Sequence, residues 1–218
     1  MKRLIFLLLT FVCLYSCQES EFSNSDKRAS EYLPLSIGNY WIYQKFTINP
    51  DGTEKAELVF DSVSIKRDTI INGQQYFEIV KSNLISLQSY FQKDSSGCLV
   101  TLEIGPNKNV LNHYVLFSDN NTDTLYKSIY KPEMDTVYSI SVKMEKLKQP
   151  ISVPAGTFEV LNAKHTVIAN PKYTYYVGPR YNNNYYAKNI GQILYSYHYL
   201  NNLGQIEYRL IRYSVKQN

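Results

Sequence analysis

From residue 40 onward, apolar and polar positions alternate in short runs broken by turn residues. No stretch after Tyr32 keeps apolar residues at helical spacing for ten or more positions. The pattern predicts strands. Residues 40–47 are aromatic and β-branched, with Tyr40, Ile42 and Phe46 expected on one face, and Asn49-Pro50-Asp51-Gly52 turns the chain back through 56–66. Ile71-Asn72-Gly73-Gln74 and Asp94-Ser95-Ser96-Gly97 read as two further hairpin turns, with strands at 76–80, 90–93 and 98–104 around them. Strands are also expected at 113–117, 136–148, 158–168, 173–177, 191–200 and 207–215. Val153-Pro154-Ala155-Gly156-Thr157 reads as a three-residue hairpin in which Gly156 supplies the positive φ. A short helix over 26–33 would stop at Pro34. About ten antiparallel strands joined by short turns must curl, close or stack to protect their edges. The expected fold is therefore all-β: a strongly curved antiparallel sheet or open β-barrel, with a two-sheet sandwich as the alternative. A single domain over 31–218 is expected.

The first 30 residues obey a different pattern. Lys2 and Arg3 precede an apolar run over 4–15 that is too short to span a bilayer. Leu14-Tyr15-Ser16-Cys17 resembles a bacterial lipobox, whereas Thr10-Phe11-Val12 before Cys13 does not. The resemblance implies removal of residues 1–16, a diacylglycerol on the Cys17 sulfur and a further, palmitate-type chain on its amine. Two or more chains hold a protein stably on a membrane, where one does so only marginally. Residues 18–30 are almost wholly polar and read as a flexible tether over 17–30, reaching roughly 20 Å. The expected location is the outer membrane, on its periplasmic face or at the cell surface. Gln18-Glu19-Ser20-Glu21 resembles the short acidic tag that directs such lipoproteins to the surface.

Composition adds less. Removing Lys2 and Arg3 from the 23 basic residues leaves 21 against 19 acidic ones, scattered along the chain, so no nucleic-acid partner is indicated. Of the three cysteines only Cys17 and Cys98 would survive processing, which precludes a disulfide framework; Cys98, in an apolar run, is expected to be buried and inert. The 21 tyrosines against one tryptophan suit half-buried strand faces and also ligand-contacting surfaces.

Three phrases resemble envelope lipoproteins of the Bacteroidetes type. They are Leu33-Pro34-Leu35-Ser36-Ile37-Gly38-Asn39-Tyr40-Trp41, Asp68-Thr69-Ile70-Ile71-Asn72-Gly73 with Tyr76, and Val153-Pro154-Ala155-Gly156-Thr157-Phe158 with Tyr186-Ala187-Lys188-Asn189-Ile190-Gly191. Asn189 stands where such sequences often carry Gly. The resemblance implies a β-rich lipoprotein and transfers no catalytic residue.

Chemistry-bearing motifs are sparse. GxSxG, HExxH, GxxxxGK[ST] and GxGxxG do not occur, and His113, His165 and His198 lie far apart with no ligand-like spacing, so no metal or cofactor is expected. Asp119-Asn120-Asn121-Thr122-Asp123 has alternate oxygens but lacks the Gly and Glu of a calcium loop. Asp61-Ser62-Val63, Asp68-Thr69-Ile70, Asp123-Thr124-Leu125 and Asp135-Thr136-Val137 resemble Bacteroidetes-type O-glycan acceptors, which implies modification at Ser62, Thr69, Thr124 or Thr136. Six tyrosines between 173 and 186 single out Tyr176, Arg180, Tyr181 and Tyr185 as a candidate recognition surface. Three functions remain in play: a non-catalytic lipoprotein binding a hydrophobic molecule or envelope partner in its curved sheet, a surface module for glycan or protein, and a hydrolase with carboxylates assembled from distant strands.

Overall fold

In the computed structural model the described residues are 31–82, 89–95, 97–107, 109–119, 124–132 and 134–216. Fifteen strands run through them: β1 (Tyr40–Ile48), β2 (Glu54–Ile71), β3 (Gln74–Lys81), β4 (Ser89–Ser95), β5 (Cys98–Ile104), β6 (Val110–Ser118), β7 (Thr124–Tyr130), β8 (Tyr138–Lys146), β9 (Ile151–Val153), β10 (Gly156–Phe158), β11 (Val160–Ala169), β12 (Arg180–Asn182), β13 (Asn184–Ala187), β14 (Gly191–Tyr197) and β15 (Gln205–Ser214). Thirteen form one antiparallel sheet in the order β6-β5-β4-β3-β2-β1-β15-β14-β13-β11-β8-β7, with β12 beside β11; β9 and β10 make a separate hairpin.

The order explains the closure. Strands β1 to β6 meander outward from one side of β1, and β15 back to β7 meander from its other side. First and last strands pair along the whole of β1, from Tyr40 opposite Ser214 to Ile48 opposite Gln205. The two free ends, β6 and β7, are sequence neighbours brought together without a ladder, and the Tyr114 and Tyr126 rings meet there at 5.6 Å. The result is a barrel closed everywhere except at the β6–β7 seam. The all-β curled sheet expected from the alternation is what forms, rather than a sandwich.

Its interior is aromatic. Trp41, Tyr43, Phe117 and Tyr186 are the largest fully buried side chains, joined by Ile65, Leu99, Val142, Met144, Ile193 and Leu210. Alternation along β1 turns Trp41 and Tyr43 to the core and leaves Tyr40, Ile42 and Phe46 half-buried on the other face. The register of β1 shifts at Ile42/Tyr43 against β15 and at Gln44/Phe46 against β2. Asn72 and Gly73 both take positive φ, 52° and 75°, as a two-residue hairpin between β2 and β3 requires.

Several local readings change. The 154–155 connection is a two-residue loop, with Gly156 opposite Val153. Residues 171–173 form a 3₁₀ turn followed by irregular chain, where a strand over 173–177 was expected. Strand β7 went unread, and the Asn-rich stretch after Pro179 is paired sheet. Cys98 opens β5 half-buried rather than buried. Glu31 and Tyr32 are helical and Leu33 is a bend, so the helix ends one residue before the expected 33; residues 26–30 lie outside the described residues.

Candidate functional site

The pleat of the sheet turns alternate side chains of its strands into the barrel. Trp41 and Tyr43 of β1 stand opposite Val63 and Asp61 of β2, Val63 opposite Lys81 of β3, and Phe77 opposite Gln92 of β4. From the other side come Asn184 and Tyr186 of β13 and Gln192 and Tyr195 of β14. Together with Leu33, Ile79 and Leu116 these residues line a lumenal cavity of about 260 Å³. That is just below the usual size of small-molecule sites.

The lining is mixed, not uniformly apolar. Tyr195 donates to Asp61 Oδ2 at 2.6 Å and Ser82 Oγ donates to Asp61 Oδ1 at 2.9 Å. Higher on the wall, Tyr90 donates to Glu103 at 3.1 Å and Asn112 Nδ2 donates to its other oxygen at 2.5 Å. Gln192 Nε2 donates to Asn184 Oδ1 at 3.0 Å, and Asn184 Nδ2 lies 2.7 Å from His165 Nε2. The His165 ring stands edge-on to Tyr126. Burial holds His165 neutral, with its pKa lowered to about 4. Burial also raises Tyr195, reinforced by its bond to Asp61.

Three groups in this lumen lack a polar partner among the described residues. The Lys81 ammonium makes no hydrogen bond or ion pair and lies 5.6 Å from the Tyr90 ring centre. Its side chain projects into the open cavity, so it keeps accessible surface while surrounded by protein. That crowding lowers its pKa, and Asp61 and Glu103 pull it partly back. Gln92 Oε1 and the Tyr186 hydroxyl are the other two, on residues only 6% and 1% exposed. Buried polar atoms of this kind are rare in folded proteins and call for a partner.

The cavity floor accounts for two of the recurring phrases. Trp41 Nε1 donates to the Ile190 carbonyl at 2.5 Å, and its ring lies over Gly191, where an added Cβ would come within 2.9 Å of Nε1. Asn189, in the position where glycine is usual, takes φ 62° and so keeps the turn. Asn39 is fully buried; its Nδ2 donates to the Pro34 carbonyl, and its Oδ1 accepts from the Lys216 amide, each at 2.9 Å. Asn39 thus ties the segment at Pro34 to Lys216.

Of the four residues proposed as a recognition surface, the structure brings together Tyr176 and Arg180. The guanidinium lies 4.2 Å from the Tyr176 ring centre and donates to the carbonyls of Tyr199 and Asn202. Both line a separate cavity of about 170 Å³ with Tyr138, Ile140, Asn182 and His198. Tyr181, adjacent on β12, points to the other face, where Lys164 covers it at 4.7 Å. Tyr185 packs against the core opposite Asn162 and Leu194.

Ser62 and Thr124 are exposed and Thr69 and Thr136 half-buried. Asp61, before Ser62, is buried in the lumen; Asp68 is held by Gln75, and Asp135 by Lys172 and Tyr173. Cys17, Asp123 and most of the 119–123 loop lie outside the described residues. His113, His165 and His198 stay apart: exposed on β6, in the lumen, and bonded to Asn182, respectively. Sequence reasoning missed the lumenal set altogether. The available signal was polar residues at core-facing positions of strands, as at Asp61, Lys81 and Gln92.

No protein-family model and no curated protein matches the chain. Among solved structures it is similar to a protein from Parabacteroides distasonis described as a lipoprotein, at 14% identity over 84% of this chain and 98% of that one, TM-score 0.43. It is also similar to an exported protein with a YmcC-like fold from Bacteroides fragilis, at 14% identity over 82% and 96% of the two chains, TM-score 0.39. These likenesses transfer no residue role, ligand or partner.

Proposed function

We propose that this chain is a non-catalytic envelope lipoprotein, held on the outer membrane through Cys17, whose barrel binds a small molecule in its lumen. The observation that carries the binding half is the lumenal cavity itself, lined by Val63, Leu116, Asn184, Gln192 and Tyr195 and edged by Lys81, whose ammonium has no hydrogen bond or ion pair among the described residues. The anchoring half rests on the lipobox-like Leu14-Tyr15-Ser16-Cys17. A binding role is supported over proton transfer by the state of the ionisable groups. Asp61 and Glu103 each accept two hydrogen bonds, and His165 is a weak base. Both carboxyl groups are therefore already engaged by side chains of the wall. The mixed lining favours a compact, partly polar molecule over a long acyl chain.

The test is chemical-shift mapping with a library of small fragments, comparing the native barrel with Val63→Phe, which narrows the cavity. Hits that perturb Trp41, Gln92 and Tyr195 and vanish in the variant are expected. Hits that fall outside the lumen, or survive the substitution, overturn the reading.

A second reading, recognition of a surface partner, is favoured by one observation. Tyr175 and Val177 are 95% and 89% exposed beside the Tyr176–Arg180 cavity. Tyr176→Ala would then weaken adhesion to the partner without lowering the melting temperature; Tyr181 and Tyr185, which face elsewhere, would matter less.

A further inference from the structure

Resting on the surface-recognition reading of the Tyr176–Arg180 cavity, we infer that this cavity receives a carboxylate of a partner polypeptide, presented beside apolar side chains. The first observation is the cation. Arg180 is only 8% exposed, yet no carboxylate pairs with it among the described residues. Its Nη1 donates to the carbonyls of Tyr199 and Asn202, while Nε and Nη2 make no hydrogen bond there. Unlike Gln92 Oε1 and the Tyr186 hydroxyl, these two nitrogens are not sealed from solvent. They belong to a side chain that lines the cavity. The Nε–Nη2 edge of a guanidinium is a fork that a carboxylate meets with two parallel bonds. A largely buried cation without a counter-charge is costly, and an incoming anion relieves it.

The second observation is that the rest of the lining offers no rival charge. Tyr138 and Ile140 of β8 and Val167 and Ala169 of β11 form the wall. His198 is neutral, its pKa lowered by burial and by the nearby guanidinium, and its Nδ1 is bonded to Asn182 Oδ1 at 2.9 Å. About 170 Å³ takes one residue-sized group.

The third is the rim. Tyr175 and Val177 flank Tyr176, and Tyr199 and Leu203 belong to the segment whose carbonyls Arg180 holds; all four are more than half exposed. A sugar stacks on rings alone, whereas a polypeptide also covers aliphatic groups such as Val177 and Leu203. The rim lies away from the chain's entry as well. Glu31 is held at the Gly191 end of β14, through the Asn189 amide and Lys188, and Tyr199 follows the other end, about 20 Å further on. A barrel tethered before Glu31 would turn this rim outward.

Chemical-shift titration of the purified barrel with four probes tests the inference: N-acetylleucine, its neutral amide, the N-acetyl amide of aspartyl-leucine, and galacturonate. At least one of the two peptide acids should shift the Asn182 and Tyr199 amides, and the neutral amide should bind about tenfold more weakly than that acid. Binding by N-acetylleucine marks a chain terminus, and by the dipeptide alone an acidic side chain. Arg180→Gln should level acid and amide. Ala169→Leu fills the cavity without removing a bond of the guanidinium, and should abolish binding at an unchanged melting temperature; it carries the test even where Arg180→Gln does not fold. Binding that persists in Ala169→Leu overturns the inference. Equal binding of acid and amide at the cavity overturns the carboxylate assignment and leaves surface recognition standing. Tighter binding of galacturonate makes the partner a glycan and likewise overturns it. Absence of binding by all four overturns it too, and the Tyr176→Ala adhesion measurement then decides the wider reading by itself.

Discussion

At the scale of single residues, one contact fixes the floor of the barrel. Gly191 sits at φ 107° with the Trp41 ring against it and Leu33 Cδ1 3.2 Å from where a Cβ would stand. Gly191→Ala adds both a clash and backbone strain, and should cost about 2–4 kcal/mol in denaturant unfolding. His165 gives a pH signature instead. Its folded pKa of about 4 lies below the ordinary histidine value, so the unfolded chain binds the extra proton between those two values. Stability is therefore full above about pH 6.5 and falls as pH drops toward 4, by at most about 1.4 kcal/mol per pH unit. His165→Gln should flatten that slope; an unchanged slope would assign the acid sensitivity to other groups. These residues were only partly legible. Trp41 and Gly191 stood out in recurring phrases, but Asp61 was read as the start of an acceptor tripeptide. A polar residue turned into a lumen breaks the rule that inward means apolar, and alternation then has no way to name the face.

At the scale of elements, the barrel depends on how its two meanders join. Arg209 of β15 donates twice to Glu54 of β2, at 2.7 Å each, and once to Glu207, with its guanidinium 4.5 Å from the Phe46 ring of β1 between them. One side chain thus spans β2, β1 and β15. Arg209→Lys keeps the charge but loses the planar fork, and should cost about 1 kcal/mol, since Glu54 is half in solvent. The opposite joint is weaker. Strands β6 and β7 meet through Tyr114 and Tyr126 without a ladder, so their facing amides have no partner strand. Hydrogen exchange should be fastest along β6 and β7 and slowest in β1 and β15, and Tyr126→Ala should speed the first pair alone. Uniform protection around the barrel would mean the seam is closed. The turns around β1 to β5 were readable because Asn-Gly and Gly-containing loops have few conformational options. Strand β7 was not: Ile129 and Tyr130 are exposed, so its alternation carries no inside–outside contrast. Strands β12 and β13 hide in an Asn- and Tyr-rich stretch whose composition also suits loops.

At the scale of the whole molecule, the barrel and the N-terminal segment answer different questions and are written differently in the sequence. A lipobox-like segment is a local pattern of four residues, whereas a lumen is assembled from strands more than a hundred positions apart, as with Asp61 and Tyr195. The proposed tether over 17–30 would set how the barrel is presented. About a dozen polar residues would let the lumen face away from the bilayer at roughly 20 Å, where soluble molecules reach it directly. Modification would act on exposed residues. Thr124 is open to solvent beside the polar 119–123 segment, so protein from its native host should exceed the mass of the lipidated polypeptide, and Thr124→Val should remove much of the excess. A mass equal to polypeptide plus lipid rejects Ser62, Thr69, Thr124 and Thr136 together. The anchor itself is tested by Cys17→Ala. Loss of the acceptor thiol would prevent the proposed acylation. The variant should lose labelling by a fatty-acid probe and leave the membrane fraction, while its barrel, built from residues 31 onward, melts at the native temperature. Retained labelling would move the acceptor to Cys13, and a lowered melting temperature would show that the segment before Tyr32 supports the fold as well as its address.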